Sequence, residues 1–230
     1  MKKNAFRLLA LAVEILFIFG CSSPATNIPK SSTKTSTENQ ILFDDEFNSL
    51  SSDVWSSFPS LTPFAGMEGS KVLGKVKVEN GILRLSRYAP ELVGKNQASF
   101  IQTKNTVYLP DTFSATMRFR NEFIAFGFGD VFVEMYKHNI AIGHSGLDKA
   151  MDNTYSYRYN DNSFFILSLH VTSKGYTITI KEDTANSIEE TFSQNVDLSG
   201  YMGNSTIMIW GGSNTKPAQY SEIDYIRISK

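Results

Sequence analysis

From residue 41 onward, apolar and polar side chains alternate with period two. Phe113, Ala115, Met117 and Phe119 are interleaved with Ser114, Thr116, Arg118 and Arg120. Phe165, Leu167, Leu169 and Val171 are interleaved with Ile166, Ser168, His170 and Thr172, and Tyr176, Ile178 and Ile180 with Thr177 and Thr179. Ile223, Tyr225, Ile226 and Ile228 close the chain. Successive side chains of a strand point to opposite faces, so each segment predicts a strand with one face in a core and the other in water. Glycine-containing turn signals separate them at 79–81, 173–175, 199–200 and 211–214. No stretch after the first twenty residues holds a helical period. The expectation is an all-β, two-sheet antiparallel sandwich or jelly roll.

The N-terminus differs. Lys2, Lys3 and Arg7 precede an apolar run over 8–19 that is too short to span a bilayer comfortably but has signal-peptide length. Ile18, Phe19 and Gly20 then lead into Cys21. This resembles a lipobox, in which a Cys becomes the acylated N-terminus of a bacterial lipoprotein. Residues 22–40 are rich in Ser, Thr, Pro and Lys and too poor in apolar side chains to bury a core, which predicts a disordered tether. The domain expectation is therefore a signal peptide over 1–20, a lipidated Cys21 with its tether over 21–40, and one jelly-roll domain over 41–230. The address is the cell envelope, with the lipid in the outer membrane of a Gram-negative bacterium. Ser22 carries part of that expectation, since Asp after the Cys resembles inner-membrane residents.

Charge and cysteine narrow the chemistry. The part after residue 20 carries 19 basic and 22 acidic side chains, a formal charge of −3, which gives nucleic acid no basic face. Cys21 is the only cysteine, so the domain has no disulfide, thiol nucleophile or thiolate-held metal. Seventeen Phe and ten Tyr favour strands.

The order of segments carries a resemblance. Residues 41–47 followed by Val54 and Trp55, the 78–85 hairpin, the 164–180 hairpin and the closing 222–229 segment resemble concanavalin A-like jelly rolls, the superfamily of legume-type lectins, laminin-G-like modules and laminarinase-type glycosidases. The resemblance implies a closing strand beside the opening one and a structural Trp55. It also implies a structural calcium, matched here by Asp224 with backbone oxygen from Gly81 and by Glu46.

Glycosidases of that superfamily carry two Glu and an Asp alternating on a mid-chain strand. Glu222 and Asp224 resemble the start of that motif, but Arg227 stands where its last Glu belongs, and the segment is the final strand. On the mid-chain segment 127–136, Asp130 and Glu134 share a side with Phe132 and Tyr136. Four residues of strand place the two acids about 13 Å apart, beyond the roughly 5–9.5 Å that glycoside hydrolysis uses. His138, His144 and His170 show no metal-ligand spacing, and no Gly-x-Ser-x-Gly elbow occurs.

Sugar-binding faces combine flat aromatic rings with directional polar groups. If the polar strand faces share one groove, that groove presents Arg118, Arg120, Asp130, Glu134, Tyr136, His170 and Trp210. Tyr155, Tyr157 and Tyr159 fall on one side of a neighbouring extended run. The expected function is that of a membrane-tethered lipoprotein with a non-catalytic carbohydrate-binding domain, its partner a poly- or oligosaccharide. The alternatives are a divergent glycoside hydrolase of the laminarinase type and a structural or adhesive envelope protein.

Overall fold

A computed structural model describes residues 40–57, 75–86, 99–120, 123–129, 131–136, 138–144, 153–211 and 220–230. Cys21 and Asp130 lie outside the described residues, as do the side chains of Tyr136 and His144. Strands are numbered β1 to β17 along the chain.

Two antiparallel sheets face each other. The first runs β14 (Glu190–Asn195), β13 (Gly175–Glu182), β12 (Phe165–Thr172), β7 (Thr112–Arg120), β17 (Ser221–Ser229), β4 (Ile82–Ser86), β3 (Lys75–Glu79), with β1 (Ile41–Asp45) also on β17. The second runs β11 (Asn153–Ser156), β10 (Asn139–His144), β9 (Val131–Tyr136), β8 (Phe123–Phe128), β16 (Ile207–Gly211), β5 (Ser99–Thr103), β2 (Trp55–Ser57). A short ladder joins β6 (Val107–Leu109) to β15 (Gly203–Ser205).

The core forms where the alternating apolar sets meet. Phe113, Ala115, Met117 and Phe119 of β7 are buried, as are Phe165, Leu167, Leu169 and Val171 of β12. They face Ile124, Phe126 and Phe128 of β8, Val131, Val133 and Met135 of β9, and Ile207 and Ile209 of β16. Phe113 and Phe128 meet edge to face at 5.0 Å across the gap. Removing this apolar surface from water is the main stabilising term, at roughly 25 cal/mol per Å².

Local chemistry sets the register. Asn80 and Gly81 both take positive φ, 55° and 72°, and join Glu79 to Ile82 as a two-residue turn. That is the hairpin geometry for which Asn-Gly is preferred, because its twist matches that of the strands. Trp55 is buried, donates its indole N–H to Asp45 at 2.6 Å and meets the Phe43 ring edge at 5.6 Å. The closing strand does lie beside the opening one: β17 pairs with β1, and the Lys230 amide donates to the Gln40 carbonyl at 2.8 Å.

β17 carries a bulge at Asp224, between Ile223 opposite Phe119 and Tyr225 opposite Arg118. The extra residue shifts the alternation by one, so Ile223, Ile226 and Ile228 all reach the core. Tyr225, grouped with those isoleucines by the sequence pattern, is only partly buried and lies outside the core cluster.

Candidate functional site

The outer face of the seven-strand sheet is built from the side chains that alternate with the core set. Its registers place Thr154, Ala141, Glu134, Ala125, Trp210 and Phe100 in one row across β11, β10, β9, β8, β16 and β5. The next row holds Gly143, Phe132, Gly127, Met208 and Gln102. Phe100, Ala125, Phe132, Met208 and Trp210 form a second apolar cluster, separate from the core. Trp210 is 1% exposed, and its ring lies 5.9 Å from that of Phe132. The ring also leans over Gly127, where an added Cβ would sit 3.4 Å from Trp210 Cζ3 and 3.1 Å from the Val131 carbonyl oxygen.

Glu134 is flanked by Ala125 on one strand and Ala141 on the other. It is the only carboxylate among the described strand residues of this face, and it is partly exposed. Trp210 sits one strand beyond Ala125. This face therefore presents the partly exposed Glu134 carboxylate and the Gln102 amide, whereas the Trp210, Phe132 and Phe100 rings are buried in a packed layer, so Trp210 is not the exposed stacking ring that the sequence predicts. Asp130 belongs to the same hairpin by sequence, but it lies outside the described residues. The sequence pattern identified Trp210 and Glu134 and missed Phe100, Ala125, Gly127 and Gln102. The available signal was the continuous apolar run of β16, in which both sets of side chains are buried. Such runs mark strands covered on both faces.

Arg118, Arg120 and His170 are elsewhere. They lie on the outer face of the eight-strand sheet, on the opposite side of the sandwich from Trp210 and Glu134. The shared groove expected from the sequence does not form. β7 and β12 pair with each other, and β9 and β16 belong to the other sheet. Period-two alternation separates in from out, and two outward faces exist.

On that second face the arginines are held in an ion-pair network. Lys77, Arg84, Glu222 and Arg120 stand in register across β3, β4, β17 and β7. Arg120 Nε donates to Glu222 Oε2 at 2.7 Å, and Arg84 Nε lies 3.0 Å from Oε1 of the same carboxylate. Arg118 donates to Asp183 and to Asp224, each at 2.8 Å. The Phe164 ring lies 4.0 Å from the Arg118 guanidinium and 4.6 Å from that of Arg120. Burial disfavours the charged form of Arg118, and the bonds from Asp183 and Asp224 outweigh it, so its pKa rises. Glu222 and Asp224, the fragment resembling a catalytic motif, are thus bound to arginines far from the Trp210 face. His170 Nδ1 lies 3.1 Å from Ser114 Oγ on an open, exposed part of the sheet.

The three tyrosines do not form an exposed platform either. Tyr155 stacks on Phe192 at 4.8 Å, and Tyr159 stacks on Phe165 at 5.6 Å. Tyr157 is buried against Phe165. Burial first, and Tyr159 second, push the Tyr157 phenol well above its ordinary pKa. The shared side predicted for them faces the edge of the core. Beside them is a cleft of about 200 Å³, rimmed by Arg158, Lys181, Glu182 and Glu190. Its acids are engaged locally: Glu182 accepts from Asn160 at 3.0 Å, and Glu190 accepts from the Arg158 amide at 2.9 Å.

Comparison with known proteins fits this architecture. No protein-family model and no curated protein matches the chain. Among solved structures, the winged bean acidic lectin complexed with methyl-α-D-galactose superposes with a TM-score of 0.59, at 11% identity over 84% of this chain and 99% of that one. SCLam, a non-specific endo-β-1,3(4)-glucanase from family GH16, gives 0.56 at 14% identity over 84% and 92%. The VIP36 exoplasmic/lumenal domain in its Ca2+/Man2-bound form gives 0.56 at 8% identity over 83% and 86%. The domain is a concanavalin A-like jelly roll.

Within this jelly roll the residues matched to a structural calcium do not fit the ion. Asp224 gives a carboxylate oxygen to Arg118, and Glu46, 65% exposed, faces Arg227 at 3.8 Å. A guanidinium beside each donor repels a cation, and calcium wants about six to eight oxygens. Gly81 caps the β3–β4 turn. No group of three His, Cys, Asp or Glu side chains able to hold a metal occurs among the described residues.

Proposed function

We propose that the jelly roll binds carbohydrate without cleaving it, on the outer face of the seven-strand sheet, and that a lipid on Cys21 tethers it to the outer membrane. The observation that carries the sugar-binding reading is the placement of the partly exposed Glu134 between Ala125 and Ala141, with the amide of Gln102 on the same face. A sugar presents a rim of hydroxyls, which a carboxylate acceptor and a side-chain amide match. Hydrolysis through a carboxylate pair needs a second acid about 5–9.5 Å away. Among the described strand residues of this face, no second carboxylate accompanies Glu134. The lectin and glucanase resemblances support the class of ligand, and the lipobox-like segment supports the anchor.

The test is a glycan array with the purified chain, followed by titration of Glu134→Gln on the best ligand. Loss of binding with an unchanged melting curve supports the site. Binding that survives Glu134→Gln removes it. Release of reducing ends from a polysaccharide would overturn the non-catalytic reading.

A further inference from the structure

Among the described residues, three large hydrophobic side chains are markedly exposed: Tyr108 at 65%, Ile188 at 60% and Ile41 at 50%. Two of them share one cleft. Ile41, Leu42, Val107, Tyr108 and Pro110, with Gln40, Thr106 and Lys230 among them, line a concavity of about 450 Å³ at the end of the sandwich where residue 40 enters β1. Apolar side chains are normally spread singly over a surface, and a contiguous set marks a contact.

We propose that this end of the domain rests on the lipid surface, with Tyr108 and Ile41 at headgroup depth. This rests on the anchored reading of Cys21 given above. Nineteen residues separate Cys21 from Ile41. The Ser-, Thr- and Lys-rich composition of 22–40 is that of a linker for which this length spans on the order of 25 Å, so an acyl anchor would keep the domain close to the bilayer. The resulting effective concentration, about millimolar, lets a weak contact be occupied. Tyrosine suits the site because an amphipathic ring settles at the membrane–water interface. Charge does not oppose the contact: Lys104, Lys174 and Lys230 are exposed at this end with Asp53, Asp111 and Asp197, a balanced set, whereas the chain after residue 20 is negative overall. Ser173, beside Lys174, donates its amide to the Asp111 carbonyl at 3.0 Å, which fixes that turn next to the cleft. The other end of the sheet, with the 183–189 turn, then points away, about 23 Å along β12.

Cys21 is the only native thiol, so in the acylated chain an introduced cysteine is the only site that takes a label. Asn204→Cys reports the anchored end, because residue 204 pairs with Tyr108 and is exposed. Asn186→Cys reports the far end. Each is made in the full acylated chain, labelled with a fluorophore and placed in vesicles of phosphatidylethanolamine and phosphatidylglycerol that carry brominated lipid. The expected result is quenching at 204 and none at 186. Quenching at 204 should be lost in Ile41→Ser/Tyr108→Ser and kept in Tyr108→Phe, with vesicle flotation unchanged in both. Flotation without quenching at 204, or equal quenching at both positions, overturns this inference and leaves the anchor standing. Shielding of 204 that persists in detergent marks a second copy or the chain's own tether as the occupant and also overturns it. An intact mass lacking acyl chains on Cys21 overturns the anchored reading and this inference together.

Discussion

Replacing Glu222 with alanine removes the anion that two arginines share. The Glu222 side chain is 8% exposed, against 26% for Arg84 and 33% for Arg120. Deleting one member of a fully buried pair costs about 3–5 kcal/mol, because the other charge stays desolvated. Here the arginines are a quarter to a third exposed, and Arg84 keeps its pairing with Glu79. Water and Glu79 recover part of the loss, which leaves about 2–3 kcal/mol. For a domain of this size that lowers Tm by about 4–12 °C. Trp55 and Trp210 are both buried, so urea unfolding followed by their emission reads the change. A cycle of Glu222→Ala, Arg120→Ala and the double variant should show a coupling above about 1 kcal/mol. A loss under about 0.5 kcal/mol, as at ordinary surface positions, or additive single changes, would refute the claim that this carboxylate bonds the two strands.

Other outcomes follow from the same geometry. Gly175→Ala places a Cβ into the Gln194 carbonyl oxygen at a φ of +153°, so it should cost about 3 kcal/mol or more in chemical denaturation. Gly81→Ala meets nothing within 4 Å at a φ of +72°, so only the backbone term of about 1–2 kcal/mol should remain. Trp210→Ala empties a buried site between Gly127 and Phe132 and should cost about 3–5 kcal/mol; a variant as stable as the parent would show that the ring is not packed. Tyr157 keeps its proton in the fold, whereas the unfolded chain loses it above about pH 10. Stability is therefore intact below that pH and falls above it, by at most about 1.4 kcal/mol per pH unit. Tyr157→Phe should flatten that fall in urea midpoints measured across the alkaline range.

The strands were legible from alternation because burial on one face is a one-dimensional pattern. Phe113 to Phe119 and Phe165 to Val171 are buried as their spacing requires, and Asn80-Gly81 turns where its backbone freedom is needed. Sheet membership was not legible. Arg118 and Trp210 each point outward, but pairing of β7 with β12 and of β16 with β8 sends them to opposite sides. That choice depends on contacts between residues distant in sequence, which alternation does not encode. Tyr155, Tyr157 and Tyr159 show a related gap. The spacing put them on one side, and only the presence of Phe165 and Phe192 determined that the side was packed. Glu134 was identified as a candidate, but its alanine neighbours come from two other strands.

The hydrogen bond from Lys230 to Gln40 brings the first and last strands of the domain to one seam. A short Gly-Ser bridge across that seam would leave every ladder intact, and the chain could then be opened at the exposed turn between Asn186 and Ser187. Such a circular permutant keeps the same two sheets and the same faces. Fused to residues 1–39 it would, on the anchored reading proposed above, hang from the opposite pole and present Tyr108 and Ile41 outward, which makes polarity toward the support a property of connectivity that can be reversed without altering a single core residue.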